Sequence, residues 1–440
     1  MTERSLPPAR SAASRDLTRR GLLGRAAAGG LGLSLLGRTA IAASSPAGAL
    51  QGFGPLQPAN ADGLMLPAGF SSRVVAVTGT TVPSTSYVWH DDPDGGATFP
   101  AGPTRNSGWV YVSNSEVDSA GGGVGVLRFD ADGVIVDAYS ILSGTSRNCA
   151  GGPTPWGTWL SCEETSTGQV WECDPLSPGS QGVVRPAMGT FRHEAAAVDP
   201  VHQQVFLTED RSDGLLYRFR PAAYPDLSSG VLEAAEILGA GSIQPGQTRS
   251  LAWLVVPDPT ASGGTATRDQ VPAATAFDGG EGCWYENGLV YFTTKGDDRV
   301  WRIDTALDEI TIVYDAATSS NPVLTGVDNV YVSPCGDVYV AEDGGDLQIV
   351  GISPSGAVQP VVQLVGTSGT EITGPALSPD GRRLYFSSQR NPGRTYEVSG
   401  PWLGLQAVPF AGGLGHALTA AAVATAGAVI LRRDARRAQA

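Results

Sequence analysis

The sequence predicts an all-β fold, a six-bladed β-propeller with insertions, and three observations support this prediction. Glycine and proline are abundant, with 58 and 31 copies in 440 residues, as expected for many short strands joined by tight turns. A short run of strand-forming residues with a central aromatic side chain recurs six times. Several of these runs follow a turn sequence such as SPCGD, SPDGR or YENG.

The recurring runs have a nearly fixed spacing. Their aromatic residues are Tyr111, Trp159, Phe206, Tyr291, Tyr339 and Tyr385, which are 48, 47, 85, 48 and 46 residues apart. The long interval contains SSGVLEAAEILGAGS and a stretch rich in Pro, Gly and Thr, which indicates an insertion. Strand–turn–strand units repeated every 40 to 50 residues or so are typical of propeller blades, so six runs predict six blades. A pair of β-sandwiches is the alternative, and the fixed period disfavours it.

The charge of the chain limits its partners. The formal net charge is −14, whereas nucleic-acid-binding proteins are normally basic, so no nucleic-acid partner is expected. An excess of carboxylates suits hard cations such as calcium, although most of these charges are also explained by a solvated acidic surface. We expect a monomer.

Both ends of the chain are predicted to lie outside the single propeller domain, which we assign to residues 43–408. Residues 1–42 contain Arg19-Arg20, an apolar run and Ala40-Ile41-Ala42, a pattern that predicts a Tat export signal and an extracellular or cell-envelope location. Residues 409–440 form an Ala-rich tail, in which residues 412–431 are long enough to cross a bilayer and precede clustered arginines. A membrane anchor and a loose tail both stay open for this segment.

Polar residues cluster at the ends of the recurring runs. We interpret these runs as the innermost strands, whose corresponding ends meet at one mouth of the central channel. Carboxylates brought together in this way resist ionisation unless cations neutralise them, so a metal site is predicted there. The residues concerned are Asn114, Glu116, Glu163, Glu164, Glu209, Asp210, Glu342 and Asp343. A second group precedes its aromatic by 10 to 13 residues and consists of Cys149, His193, Glu194, Asp278, Glu281, Asp328 and Asn329.

Other candidate ligands and cysteines are less informative. Cys162 and Cys173 are close enough in sequence to pair, and the connectivity of the five cysteines is otherwise open. The segment WHDDPDGG, which includes Asp94, fits either a calcium site or a solvated acidic loop.

Several motifs resemble one known family. NCAGGPTPWGTWLSCEE, HEAAAVDP, FLTEDR, EGCWY, AEDGGD and SPDGRRLYFSSQ, in this order, resemble the PhoX family of bacterial alkaline phosphatases, and in particular its shorter members. The resemblance extends from about Leu66 to Trp402. It implies a six-bladed propeller exported by Tat, with an iron- and calcium-dependent centre that hydrolyses small phosphate esters.

The resemblance also implies roles for individual residues. Cys149 would bridge two irons, Asn114 would lie near the substrate phosphate, and Glu281 would complete the catalytic set. The implied metal ligands are Cys149, Glu194, Glu281, Asp328 and Glu342, followed by Glu116, Glu164, Glu209, Asp210 and Asp343.

One position departs from the family pattern. Family members carry an arginine two residues before the metal-ligating glutamate, where it grips phosphate through two parallel hydrogen bonds. Here that position is Gly279, two residues before Glu281. Arg390 and Arg147 are the candidates to replace the missing arginine.

Two other functions fit the same residues. A calcium-dependent lactonase or esterase could use Glu194, Asp328 and Asn329 as ligands. A non-catalytic propeller that holds metals for structure is the third hypothesis.

Overall fold

The computed structural model describes residues 48–104, 107–239 and 241–403, and within these ranges the protein is almost entirely β-structure. The predicted export signal and the C-terminal tail lie outside the described residues. Two short strands come first, β1 (Leu64–Met65) and β2 (Ser71–Val77). Three short 3₁₀ turns, at Ala49–Gly52, Pro186–Met188 and Thr267–Gln270, interrupt the β-structure.

The remaining strands follow in consecutive antiparallel meanders. The first two are β3 (Pro93–Pro100), β4 (Trp109–Ser115), β5 (Gly122–Phe129) and β6 (Ile135–Thr145), then β7 (Asn148–Pro153), β8 (Trp159–Glu163), β9 (Val170–Cys173) and β10 (Val183–Val184). The third is β11 (His193–Asp199), β12 (Gln204–Glu209), β13 (Gly214–Ala223) and β14 (Asp226–Ile237), followed by β15 (Thr248–Val255) and β16 (Ala276–Phe277). The fourth is β17 (Gly280–Glu286), β18 (Leu289–Thr294), β19 (Arg299–Asp304) and β20 (Glu309–Asp315). The last two are β21 (Val327–Val332), β22 (Val338–Glu342), β23 (Gln348–Ile352) and β24 (Val358–Leu364), then β25 (Ile372–Leu377), β26 (Arg383–Ser388) and β27 (Arg394–Ser399).

These meanders form five sheets in the described part of the chain. The first and second are separate four-stranded sheets, and β1 adds a fifth strand beside β24. The third and fourth belong to one ten-stranded sheet, because β15 pairs with both β14 and β20, and β16 pairs with β13. The insertion expected in the long interval is therefore the segment that joins these two meanders.

The first strand of every meander contacts the first strand of the next one. The contacts run from β3 to β7, β11, β17, β21 and β25, and return from β25 to β3. Small residues allow this approach: a Cβ atom on Gly95 would lie 2.5 Å from the Ala150 Cα, and one on Gly282 would lie 2.4 Å from the Val330 amide nitrogen. The all-β, propeller-like part of the sequence prediction is confirmed.

The recurring aromatic runs are not the innermost strands, and this part of the interpretation was wrong. Each run forms the second strand of its meander, namely β4, β8, β12, β18, β22 and β26. The aromatic residues there fill the space between neighbouring sheets: the rings of Tyr111 and Tyr385 stack with centroids 5.2 Å apart. Trp159 is buried between the first and second meanders. Inner strands instead need small residues, which give a weaker sequence signal.

Residues near the N-terminal end of the described chain complete the last sheet. β2 pairs with β27 over its whole length, so this sheet combines strands from both ends of the propeller-like unit. Arg73 on β2 reinforces the pairing with an ion pair to the buried Glu397, at 2.7 Å. Among the described residues, no helix is both long and apolar enough for a membrane span.

Candidate metal centre

The start of each inner strand supplies one side chain to a common site. In five inner strands this side chain belongs to the second residue: Asp94 in β3, Cys149 in β7, Glu194 in β11, Glu281 in β17 and Asp328 in β21. In the sixth meander it belongs to Glu371, which directly precedes β25. In those five meanders the pairing with the second strand shifts register immediately after this residue. Such β-bulges re-aim side chains at functional sites, which explains how five strands point their ligands at one end of the channel.

The residue that follows each second strand forms an outer ring around this site. In chain order these residues are Glu116, Glu164, Asp210, Lys295, Asp343 and Gln389. Consecutive residues of a strand point to opposite sides, so the preceding residue, which ends the strand, faces away. A one-residue difference therefore separates Glu164, which lines the cavity, from Glu163, which accepts hydrogen bonds from the amides of Ser146 and Gln169.

Most residues of both rings line a cavity of about 230 Å³ with mixed charge. Eight carboxylates, four cationic side chains and one thiol face it: Glu116, Glu164, Glu194, Asp210, Glu281, Asp328, Asp343, Glu371, Arg147, Arg192, Lys295, Arg390 and Cys149. Negative charge is thus in excess, even with every cation counted. The cavity carries almost no apolar side chains, which indicates a site for ions and charged ligands.

Within the described residues, two groups of three side chains could each hold a metal ion. Their ligand atoms lie within 4.8 Å of one another in the groups Glu116, Cys149 and Glu164, and Glu194, Glu281 and Asp328. The first group combines a thiol with carboxylates, whereas the second offers oxygen alone. Thiolate sulfur is a ligand for iron, and carboxylate oxygen suits calcium and ferric iron.

Glu194 provides the strongest sign that a cation belongs here. Its side chain is 1% exposed, and one carboxylate oxygen has no hydrogen-bond partner among the described residues. Burial raises its pKa well above the ordinary value, and the neighbouring carboxylates of Glu281, Glu164, Asp328 and Asp94 raise it further. A buried carboxylate in these surroundings is stabilised by a bound cation, so the residues fit the predicted metal site.

The other buried acids of the inner ring respond to the same environment. Burial raises the pKa of Glu281 to about 8 against the opposing effect of Lys295, and burial with nearby Asp328 raises the pKa of Glu371 to about 9. Burial also raises the pKa of the Cys149 thiol, which lies 3.5 Å from the Asp94 carboxylate. These shifts describe a site whose ligands are costly to ionise without a cation.

Four cationic side chains hold the outer acids in place. Arg147 bridges Glu116 and Glu164, and Arg192 pairs with Glu164 and lies 3.7 Å from Asp210. 

Two further cations lie across the cavity. The guanidinium of Arg390 is 2.8 Å from Glu116 and 3.0 Å from Glu371. The ammonium of Lys295 is 3.1 Å from Glu281 and 3.0 Å from Asp343. Lys295 is the one lysine in the 440-residue sequence.

Most predicted ligands meet at this cavity. The structure brings together Cys149, Glu116, Glu164, Glu194, Glu281 and Asp328, with Asp210 and Asp343 in the outer ring. Glu209 and Glu342 do not line it, because each ends its strand facing the loop. Glu209 accepts hydrogen bonds from the Tyr217 hydroxyl and the Leu215 amide, and Glu342 accepts them from the amides of Thr325 and Gln348.

Asn114 also differs from its predicted place near the substrate. It is fully buried behind the cavity, where its side-chain amide donates hydrogen bonds to the carbonyls of Cys149 and Ala150 at 3.2 and 2.7 Å. Its carbonyl oxygen accepts from the Trp159 indole and the Ser161 hydroxyl, both at 2.9 Å. All its polar atoms are therefore occupied, and the residue positions the strand that carries Cys149.

Gly279 lies at the edge of the same site. Its φ of +70° falls in the left-handed region, and a Cβ atom there would lie 3.5 Å from the Asp210 carboxylate. Its carbonyl accepts a hydrogen bond from the Lys295 amide at 2.8 Å, so Lys295 lies directly beside this glycine.

Sequence reasoning missed three residues that line the cavity, namely Glu371, Arg192 and Lys295. Asp94, which the sequence offered as a possible calcium ligand, lies directly behind Cys149 and accepts a 2.6 Å hydrogen bond from Gln389. Lys295 had a usable signal, since it is a lone lysine placed directly after a recurring run. Asn329, which was considered as a ligand, uses its side-chain carbonyl to accept from the Gly374 amide at 2.6 Å.

The cysteines stay unpaired. All five are free thiols, including Cys162 and Cys173, whose sequence spacing had allowed a disulfide. Cys162 and Cys173 are fully buried in the cores on either side of the second sheet, which assigns them to packing.

Comparison with known proteins gives an independent result. The family model described as alkaline phosphatase PhoX matches residues 120–170, 166–322 and 303–393, more than half of the chain. Among solved structures, PhoX of Pseudomonas fluorescens in complex with vanadate, a transition state analogue, has 17% identity and a TM-score of 0.66, with 80% of this chain and 98% of that chain covered. A gluconolactonase of Xanthomonas campestris has 12% identity and a TM-score of 0.45, with 79% and 97% covered. No curated protein matches the sequence. Because the family model matches more than half of the chain, the chain belongs to the PhoX family of alkaline phosphatases.

Proposed function

We propose that the protein is an exported metal-dependent phosphatase that hydrolyses small phosphate monoesters at the candidate metal centre, with iron and calcium as its metals. The observation that carries this proposal is the convergence of Cys149 with buried carboxylates in one polar cavity. Arg19-Arg20 supports export, and the protein is expected to act as a monomer outside the cytoplasm.

We propose that the propeller has six blades. The ten-stranded sheet contains two meanders of four strands, and β15 joins them through their outer strands. Six inner strands contact one another in sequence and close on themselves, which supports this count.

The two ligand groups suit different metals. Iron would be held by Cys149 with Glu116 and Glu164, and calcium by Glu194, Glu281 and Asp328. Bound metals would supply Lewis-acid chemistry, neutralising charge on phosphate oxygens and activating an oxygen nucleophile. The protein's part is to hold the ligands close together and away from bulk water, and a bound cation would favour their ionised forms.

Positive side chains would orient the phosphate. Arg147, Arg192, Arg390 and Lys295 all line the cavity, so a phosphate oxygen entering it meets charged donors from several directions. Arg147 and Arg390 are candidates for the role that Gly279 cannot fill, and Lys295 adds a third donor beside that glycine. Asn114 holds the Cys149 strand and does not touch the substrate.

Hydrolysis of p-nitrophenyl phosphate by protein loaded with iron and calcium tests the proposal. We expect turnover in the wild type and a loss of about 100-fold in Glu194→Gln, which keeps the shape of the side chain and removes its charge. The matched control is Glu309→Gln, in an outer strand away from the cavity.

Two outcomes would contradict the phosphatase. Turnover of a lactone or paraoxon with calcium alone, unaffected by iron removal, would support the lactonase or esterase. Folding that depends on metal, without turnover of any ester, would support a non-catalytic metal-binding propeller.

A further inference from the structure

A second, larger cavity lies at the opposite end of the inner strands. It has a volume of about 700 Å³ and is formed where β7, β11 and β17 finish, at the other end from Cys149, Glu194 and Glu281. Five residues separate Glu281 from Glu286 along β17, so the two mouths are about 17 Å apart at the usual rise of a strand. Between them is a neck of about 20 Å³, lined by small residues such as Gly95, Ala150 and Gly282.

The walls of this distal cavity are mainly hydrocarbon. Pro153, Val198, Pro200, Val201 and Trp284 contribute to them, with Val201 at the rim at 69% exposure. A mostly apolar cavity of this size, with few polar groups, matches the sites that proteins use for small organic ligands. The charged metal cavity has the opposite character, so the two mouths select different molecules.

Glu286 is the one carboxylate among the lining residues, and no lysine, arginine or histidine lines the cavity. Within the described chain, no hydrogen bond or ion pair reaches its carboxylate. Burial raises the pKa of Glu286 to about 7, and no neighbouring cation opposes this effect. A partly buried carboxylate without a partner is costly to ionise, and a ligand that brings a positive charge removes this cost.

We propose that the distal cavity binds an apolar molecule that carries a protonated amine. The hydrocarbon body would pack against Trp284, Pro153 and Val198, and the ammonium group would pair with the Glu286 carboxylate. Charge complementarity decides the class of ligand. The Glu286 carboxylate would repel an anion, and a neutral molecule would leave this carboxylate without an ionic partner. This site is independent of phosphate hydrolysis, since the narrow neck separates the two cavities.

Calorimetric titration of the full chain with 4-phenylbutylamine, 4-phenylbutanol and 4-phenylbutyrate tests the proposal. We expect saturable one-to-one binding of the amine, weaker binding of the alcohol, and the weakest binding of the acid. Glu286→Gln should weaken amine binding by at least about tenfold and leave alcohol binding unchanged, because the variant removes only the charge. Glu309→Gln is the matched control and should bind like the wild type.

A second variant tests the location separately from the charge. Val201→Trp adds bulk at an exposed rim position, where folding tolerates change, and should weaken the binding of both amine and alcohol. Absence of saturable amine binding by the wild type, or equal amine affinity in Glu286→Gln, would overturn the proposal. It would also be overturned if a chain ending at Leu403 bound the amine and the full chain did not, or if the amine dissociated a dimer, since either result assigns the cavity to another occupant.

Discussion

Cys149 is held in place by several residues that do not line the cavity. Asn114 donates two hydrogen bonds to carbonyls at the start of the Cys149 strand and accepts two from the neighbouring strand. Asp94 accepts a hydrogen bond from the Cys149 thiol. Such supporting partners fix the orientation of a metal ligand and matter almost as much as the ligand itself. Asn114 stood out in the sequence, whereas its supporting contacts become visible only in the structure.

Replacing the thiol should remove iron without unfolding the protein. In Cys149→Ser we expect the iron content to fall to background and phosphatase activity to fall by about 100-fold, because a hydroxyl is a much poorer ligand for iron. Elemental analysis and p-nitrophenyl phosphate turnover measure both effects. Cys335→Ser is the matched control, since this partly exposed thiol lies outside the cavity and should keep its iron. Full iron content in Cys149→Ser would contradict the assignment.

Asn114→Ala separates a positioning role from a substrate contact. We expect metal affinity to fall by about 10- to 100-fold, while KM for p-nitrophenyl phosphate changes little once metal is saturating. A large rise in KM at full metal occupancy would instead return Asn114 to the substrate.

The backbone conformation at position 279 favours glycine. Its left-handed conformation costs a side chain about 1–2 kcal/mol, so Gly279→Arg should lower the free energy of unfolding by that amount and should not raise turnover. Gly54→Arg is the matched control, because Gly54 has open space and no positive φ. Urea denaturation and phosphatase assays measure the two effects, and a clear gain of turnover in Gly279→Arg would show that phosphate binding lacks only this arginine.

At the scale of the element, the ends of β8, β12 and β22 give opposite roles to two adjacent acids. Glu209 satisfies a hydroxyl and a backbone amide in its own sheet, whereas Asp210 lies in the outer ring of the cavity. From the sequence, the two acids of such a pair cannot be distinguished. Successive strand residues point to opposite sides, so the side of each acid is known only once the last residue of the strand is known. The aromatic repeat located these strand ends to within one residue but gave them the wrong place in the sheet.

This alternation predicts that replacing an acid that ends a second strand lowers stability, whereas replacing an acid that follows a second strand removes metal. Glu209→Ala should cost about 1–3 kcal/mol of unfolding free energy, because it leaves the buried Tyr217 hydroxyl without its acceptor, and should keep the metal content. Glu164→Ala should lose metal from the thiol-containing group. Denaturation curves and elemental analysis of both variants check this; metal loss in Glu209→Ala with full metal in Glu164→Ala would reverse the assignment.

At the scale of the whole molecule, the metal site exists only because the inner strands form a ring. Asp94 and Glu371 are far apart in sequence but lie around the same cavity walls. No local sequence pattern predicts that they come together. The repeat and the family motifs could be read from the sequence. Glu371 could not, because it precedes a strand of small residues, ITGPAL, that resembles a loop. The distal cavity likewise follows from packing between strands and has no sequence motif.

The cluster of raised pKa values makes stability depend on pH and metal together. Glu281 and Glu371 bind protons in the metal-free folded state at pH values where the unfolded chain has released them. The unfolding free energy of chelated protein should therefore fall as pH rises from about 5 to 9. Bound metal compensates the ionised carboxylates, so the difference in Tm between loaded and chelated protein should widen over the same range. Thermal scans at pH 6 and pH 9 measure this difference, and a difference that narrows would contradict the account.

Elemental analysis of the purified protein tests the central claim most directly. The account predicts iron and calcium together, with iron lost in Cys149→Ser and calcium lost in Glu194→Gln. Protein that contains calcium without iron, or that binds neither metal, would contradict the assignment of the cavity as an iron- and calcium-dependent phosphatase centre.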